Sequence, residues 1–295
     1  MNSARKILFS VLAFILIIVI IIVGVVGFNR SHSRQETKPR IVATTVAVVQ
    51  IADKLDLPLV GVPKTQNQLP ARYKNVAKVG SPMSPNVEKI ASLKPTVVYS
   101  VSVLKDQYDA AFKKQKFNTK YLTLDTISDL KTVLKSMGKQ YQRQNQAAKQ
   151  IQIIDKTIKT VQARESVNKP KVLVLMGMPG AGYMIATNHS YVGNLVQLAG
   201  GQNVYTDSKQ PYLAPENESL ASKNPDVILR LEHAMPEVVK PQFDQEFKTN
   251  SIWPQMTAVK ENRVYDLQQP DFNATANMHV KQALTKISYW LYPSK

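Results

Sequence analysis

The chain of 295 residues contains no cysteine. Disulfides, thiolate metal sites, a cysteine nucleophile and a lipid-modified cysteine are thereby excluded. Carboxylates are scarce: 21 Asp and Glu stand against 38 Lys and Arg, a formal net charge of +17. Histidine occurs only as His32, His189, His233 and His279, and no two fall at metal-ligand spacing. That argues against a zinc or manganese receptor. No HExxH and no nucleophile elbow occur. The "GMPGAG" stretch from Gly177 is followed by no Gly-Lys-Ser/Thr, so it is a phosphate loop only superficially.

What is present begins with an apolar run. Ile7 to Phe28 carries no charge. At a helical rise of about 1.5 Å per residue it matches a hydrocarbon core of roughly 30 Å. Arg5 and Lys6 precede it, and no small-x-small cleavage site follows, which predicts an uncleaved transmembrane anchor over 1–28. Polar, turn-rich residues 29–39 read as a tether. Basic residues flank both ends of the run, so the positive-inside rule does not choose an orientation.

The remainder is globular in composition and alternates strands with helices, an α/β pattern with largely parallel sheets. The segment "PNVEKIASLKPTVV" from Pro85 returns from Pro215 as "PENESLASKNPDVI", in constant register: Glu88 matches Glu218, Pro95 matches Pro225 and Val97 matches Val227. The repeat predicts two lobes of one architecture, 40–138 and 167–295. Between them, residues 128–166 lack proline and keep apolar residues at helical spacing. They read as a short helix and then a long one over roughly 139–164, about 39 Å, inside a bridging segment 139–166.

The stretch 129–171, which includes this bridge, is basic. Lys131, Lys135, Lys139, Arg143, Lys149, Lys156, Lys159, Arg164, Lys169 and Lys171 face only Asp129, Asp155 and Glu165. Without interleaved aromatic residues for stacking, a solvated helix face is the better reading, and nucleic-acid binding is not expected.

Two α/β lobes meeting at a cleft commonly hold a small molecule near strand carboxyl ends. His233, in "LRLEHAMPE", directly follows a strand. A lone histidine is more often structural than a ligand. Met83 lies in "GSPMSP", among loop formers, which is unusual for core filler. Glu88 and Glu218 open equivalent helices, where carboxylates suit the positive dipole end.

From Arg40 onward the chain resembles the substrate-binding components of iron–haem ABC importers, and among them the haem receptors of the iron-regulated surface determinant systems of Gram-positive bacteria. The resemblance is carried by "RIVATTVAVVQIADKLDLPLVG", "LPARYKNVAKVGSPMSPNVEKIASLKPTVV", "VLVLMGMPGAGYMIATNHSYVGNLVQLAGGQNV", "NPDVILRLEHAMPEVV" and "NRVYDL…TAN". It implies two Rossmann-like lobes joined by one long α-helix, the class III periplasmic-binding-protein fold, with small lobe motions. It implies a binder of transported haem, not an enzyme, with Met83 and His233 as axial ligands to the iron, a set that fills both open positions and suppresses oxygen chemistry.

Donors for the haem propionates are then expected at the helix start Thr44, Thr45 and Val46, with Thr65, Tyr183 and Thr187 as further candidates. Glu88 and Glu218 match the carboxylates that dock on permease arginines. Expected partners are an ABC permease with its ATPase, and a cell-surface haem donor upstream. Relatives are usually held by a lipidated cysteine. Here the apolar run replaces it, with the binding domain extracytoplasmic. The alternatives are a ferric-siderophore or corrinoid receptor on the same fold, a haem-dependent enzyme, or a cytoplasmic nucleic-acid binder.

Overall fold

Strand β1 (Ile41–Ala43) is buried along its whole length and forms the middle of a five-stranded sheet. The computed structural model describes residues 38–293. The expected anchor, 1–28, and the tether up to residue 37 lie outside the described residues. Among the described residues no helix is long and apolar enough to cross a membrane.

The first lobe runs β1, α1 (Val46–Lys54), β2 (Leu59–Val62), β3 (Ala77–Lys78), the hairpin β4 (Gly80–Ser81) and β5 (Ser84–Pro85), α2 (Val87–Ser92), β6 (Val97–Val101), α3 (Lys105–Lys114) and β7 (Thr119–Leu122). Its sheet has the order β3-β2-β1-β6-β7, and every neighbouring pair is parallel. β6 is buried at all its positions, as parallel strands covered on both faces must be.

The second lobe contains β8 (Lys171–Met178), β9 (Gly182–Ala186), α6 (Tyr191–Leu198), β10 (Gln202–Asn203), β11 (Tyr212–Leu213), α7 (Asn217–Lys223), β12 (Val227–Leu231), α8 (Pro236–Thr249), α9 (Thr257–Lys260), β13 (Val264–Leu267) and α10 (Val280–Leu291). Its sheet has the order β11-β9-β8-β12-β13, with β10 also paired to β8. The pairs β8–β12 and β12–β13 are parallel, and the pairs β8–β9 and β9–β11 are antiparallel.

The repeat read from the sequence is a repeat of structure. α2 leads into β6 as α7 leads into β12. Ser92 Oγ donates to the Lys89 carbonyl at 2.8 Å, and Ser222 Oγ to the Ser219 carbonyl at 2.7 Å. Lys94 and Asn224 both take left-handed backbone, with φ of 46° and 36°. Each ends its helix one residue before the shared proline.

The bridge differs from the expectation. The first helix, α4 (Ile127–Gln140), continues past Gly138, and the long helix begins only at α5 (Gln144–Gln162). Its 19 residues span about 28 Å, not 39 Å. Gln142 turns the chain with φ of 55°. α4 starts on a capping box: the Asp129 amide donates to Thr126 Oγ1 at 3.1 Å, and the Thr126 amide donates to Asp129 Oδ2 at 2.9 Å.

Behind α5, α10 closes the second lobe. Arg164 donates to the Tyr292 carbonyl at 2.7 Å and Arg263 to the Trp290 carbonyl at 3.0 Å, so two guanidiniums satisfy the free carbonyls of that helix end.

Candidate functional site

A cavity of about 370 Å³ lies in the cleft, with lining residues from both lobes. The first lobe supplies the start of α1, the Thr65–Asn67 turn, the β4–β5 hairpin and the residues after β6. The second supplies the stretch from His233 to Glu237, Gln269 and the segment from Asn273 to Asn277. The size falls in the range of small-molecule sites.

Met83 is placed by the hairpin, whose two-residue tip is Pro82–Met83 between paired Ser81 and Ser84. Gly80 makes the tight entry possible: its φ is +95°, and a Cβ there would stand 2.5 Å from the Asn86 amide nitrogen. The Gln107 side-chain amide donates to the Met83 carbonyl and tethers the tip to α3. Met83 is 58% exposed, and two more exposed apolar side chains line the same cavity, Val103 at 61% and Met235 at 53%. Half of the six exposed large apolar residues among the described residues thus gather at one cleft, which marks it as a site for an apolar ligand.

His233 follows β12. The Glu232 amide donates to the Leu267 carbonyl at 3.2 Å, extending the β12–β13 ladder by one rung, and Gln269 Nε2 donates to the His233 carbonyl at 2.7 Å. These two bonds hold the backbone on which the imidazole sits. Nδ1 of His233 is buried and has no partner among the described residues. Burial also holds the imidazole below the ordinary histidine pKa, so the ring is neutral and fit to coordinate. Met235, with φ of 46°, turns the chain into α8 at Pro236.

Beneath this lip lies a charged cluster. Arg230, 8% exposed, donates to Asp266 Oδ1 at 2.6 Å and Oδ2 at 2.9 Å, and to Asp244 Oδ1 at 3.0 Å. The Phe247 and Phe243 rings lie 4.9 and 5.4 Å from its guanidinium carbon. The cluster fastens α8 to β12 and β13. Burial, then the neighbouring Asp266, raises the pKa of the Glu232 carboxyl beside it.

The expected site residues divide. Met83, His233, Thr45, Val46 and Thr65 line the cavity together. Thr44 does not: its amide and its hydroxyl both donate to the Tyr99 carbonyl, at 3.0 and 3.2 Å, because it extends the β1–β6 ladder. Its amide is therefore not free for an anion. Tyr183 and Thr187 are outside the cavity as well. The Tyr183 ring packs on Phe243 and Trp253, 6.3 and 5.9 Å between centroids. Thr187 donates its hydroxyl to the Gln210 carbonyl at 2.7 Å, because the antiparallel return of β9 carries it away from the carboxyl end of β12.

Glu88 and Glu218 lie exposed in the first turns of α2 and α7, neither in an ion pair among the described residues. The sequence reading gave no role to Gln50, Asn273 or Asn277, all of which line the cavity. Of the three, only Asn277 falls in the motif "TAN" at 275–277.

No lysine or arginine lines the cavity, and Glu237 is its only acid among the described residues. In a chain of this charge the exclusion of cations from the cleft is specific. The donors offered to an anionic group are neutral: the amides of the first turn of α1, left without helical acceptors, and side-chain amides and hydroxyls.

Known proteins place the fold. The periplasmic binding protein family model matches residues 41–270. The chain is 40% identical over 290 residues to the high-affinity heme uptake system protein IsdE of Staphylococcus aureus, covering 97% of this chain and 99% of that protein. The crystal structure of S. aureus IsdE complexed with heme superposes with a TM-score of 0.82 at 42% identity, covering 86% of this chain and 99% of that one. An ABC transporter substrate-binding protein from Listeria monocytogenes gives a TM-score of 0.82 at 44% identity, covering 88% of this chain and all of that one. With a family model spanning most of its length and a relative at this identity along nearly all of it, the chain belongs to the periplasmic binding protein family.

Proposed function

We propose that the chain is the extracytoplasmic haem-binding component of an ABC importer, holding haem between its lobes and passing it to a membrane permease. One observation carries this reading: the thioether of Met83 and the imidazole of His233, from opposite lobes, line a single apolar-lipped cavity that no cationic side chain of the described residues lines. The likeness to a heme uptake protein along the whole chain supports it.

Thioether sulfur and imidazole nitrogen are both competent axial donors to haem iron. In the neutral imidazole one ring nitrogen keeps the proton and the other is free to ligate the metal. Haem here is cargo. With both axial positions taken, the iron has no open site for oxygen chemistry, as a carrier requires. Val103, Leu104 and Met235 supply apolar contact to the macrocycle, and the first-turn amides of α1 and the neutral side chains receive the propionates.

A ferric siderophore of high negative charge is the weaker reading, because the cleft offers it no counter-charge. Glu88 and Glu218, one on each lobe, dock on the permease. Residues 7–28 anchor the chain, and a cell-surface donor supplies the haem.

Haemin titration of the fragment beginning at Arg40 tests the reading by absorbance. The expected result is a six-coordinate spectrum that becomes five-coordinate or ligand-exchanged in both Met83→Ala and His233→Ala. Binding of ferric siderophore or cobalamin with indifference to haemin would overturn it.

A further inference from the structure

Eleven buried side-chain polar atoms among the described residues lack a hydrogen-bond partner, and two of them belong to cavity-lining residues: His233 Nδ1 and Asn277 Nδ2. The second has no role in the reading above. Asn277 is 1% exposed. Its orientation is fixed, since Oδ1 accepts the His279 amide at 2.7 Å, so the NH2 group is the end left over.

Gln50, on α1 of the other lobe, is held in the same manner. Its Oε1 accepts the Met278 amide at 3.1 Å, and its NH2 group has no acceptor among the described residues. Two consecutive backbone amides, those of residues 278 and 279, therefore lock two carboxamides from opposite lobes with their donors unspent. Val46 and Ala47 stand one helical turn before Gln50 on the same face of α1, and their amides also lack acceptors within the helix.

A buried N–H without an acceptor costs free energy and calls for an explanation. Here the cavity beside it is the place from which an acceptor would come. The acceptor must take several N–H donors at once while meeting no cation, which describes a carboxylate.

We propose that Asn277 and Gln50 form a paired carboxamide clamp for a carboxylate of the bound ligand, closed across the lobe seam. The inference rests on the haem reading and deepens it: the clamp receives a propionate and selects tetrapyrroles with free acid groups over those whose acids are capped. Hydrogen bonds to a charged acceptor are stronger than neutral ones, and in a site without cations they carry the recognition. Asn277 and Gln50 contact the ligand's acid group and leave the iron ligands untouched.

Asn277→Asp and Gln50→Glu test the clamp. Each keeps the oxygen that accepts from residue 279 or 278 while replacing the donor by a negative charge. Affinity for haemin and for haemin dimethyl ester is measured for the wild type and both variants by absorbance titration, with thermal melts to establish folding. The expected result is a loss of about tenfold or more for haemin in each variant, with ester affinity and the axial-ligand spectrum unchanged. Equal loss for both ligands, or loss for neither, overturns the clamp while leaving the haem reading intact. Failure of the wild-type protein to bind haemin overturns both. Because Gln50 and Asn277 sit on different lobes, misfolding of one variant leaves the other as the deciding measurement.

Discussion

The Leu124 carbonyl of the first lobe accepts the Ala276 amide of the second at 2.7 Å. Nearby, Asn194 Oδ1 accepts the Ile127 amide at 3.0 Å, so the bridge helix α4 begins on a bond to the second lobe. With the Gln50–Met278 bond, three direct hydrogen bonds stitch the lobes at the seam. A wide hinge opening would have to break all of them.

The lobes are therefore expected to move little on ligand binding. The natural absence of cysteine makes this direct to measure. Spin labels at Lys89→Cys and Ser222→Cys, both exposed and one on each lobe, should report a distance that changes by less than about 2 Å when haemin is added. A shift of several ångströms would show that the seam opens.

Burial of His233 predicts a pH dependence of stability. The folded chain holds this ring with its pKa below the ordinary histidine value, while in the unfolded chain it takes a proton near pH 6.5. The unfolded state then binds more protons, so stability rises with pH across that window. The contribution is complete above the unfolded pKa, is lost as pH falls below it, and levels off below the folded pKa. Thermal melts of the ligand-free protein between pH 7.5 and pH 5 should show a fall in Tm that His233→Gln reduces. A parallel fall in both proteins would remove this histidine as its source.

Arg230 predicts a different kind of loss. Its guanidinium is enclosed by two phenyl rings and two carboxylates, and only Lys240, 3.6 Å from Asp266, could partly replace it. Arg230→Ala leaves Asp266 without its main partner and removes packing under α8. Unfolding by denaturant should show a loss of about 3 kcal/mol. Asp244→Asn removes the more exposed partner and should cost about 1 kcal/mol or less. Haemin affinity should fall in Arg230→Ala as well, since α8 carries the lip beside His233.

The sequence made the repeat legible because it sits where local chemistry decides. A helix start, a left-handed exit and a proline recur with the same residues or near equivalents, so Glu88 to Val97 and Glu218 to Val227 read directly onto the structure. The bridge was less legible, and Gly138 shows why. It lies inside α4 as a residue of close approach: a Cβ there would lie 2.7 Å from the Ala147 Cβ of α5. The turn instead falls on Gln142, whose residue type gives no warning. Gly138→Ala should thus destabilise the protein by about 1–3 kcal/mol, despite the higher helix propensity of alanine, as urea unfolding would measure.

Within the site, Met83 and His233 were legible as oddities of loop and strand end, while their meeting depends on the pairing of two lobes. Thr187 was misplaced because β9 returns antiparallel, which strand periodicity alone does not reveal, and Tyr183 because its ring is taken up by Phe243 and Trp253. Gln50 and Asn277 were given no role for a third reason. Their significance lies in which amide end is spent on residues 278 and 279, a property of tertiary hydrogen bonding.

The last prediction concerns the surface. Glu88 and Glu218 are exposed at the starts of equivalent helices, one on each lobe, and neither lines the cavity. If they dock on cationic permease side chains, their charge acts chiefly on encounter and register and little on cargo affinity. Glu88→Ala and Glu218→Ala should each leave haemin affinity unchanged and lower haem uptake in cells. Association with the reconstituted permease should slow by about tenfold at low salt, with the difference shrinking as salt rises. Charge reversal to lysine should deepen both effects, whereas Glu88→Gln should behave like alanine, because charge and not side-chain length is at issue. Loss of haemin binding in any of these variants would place the carboxylates in the wrong role.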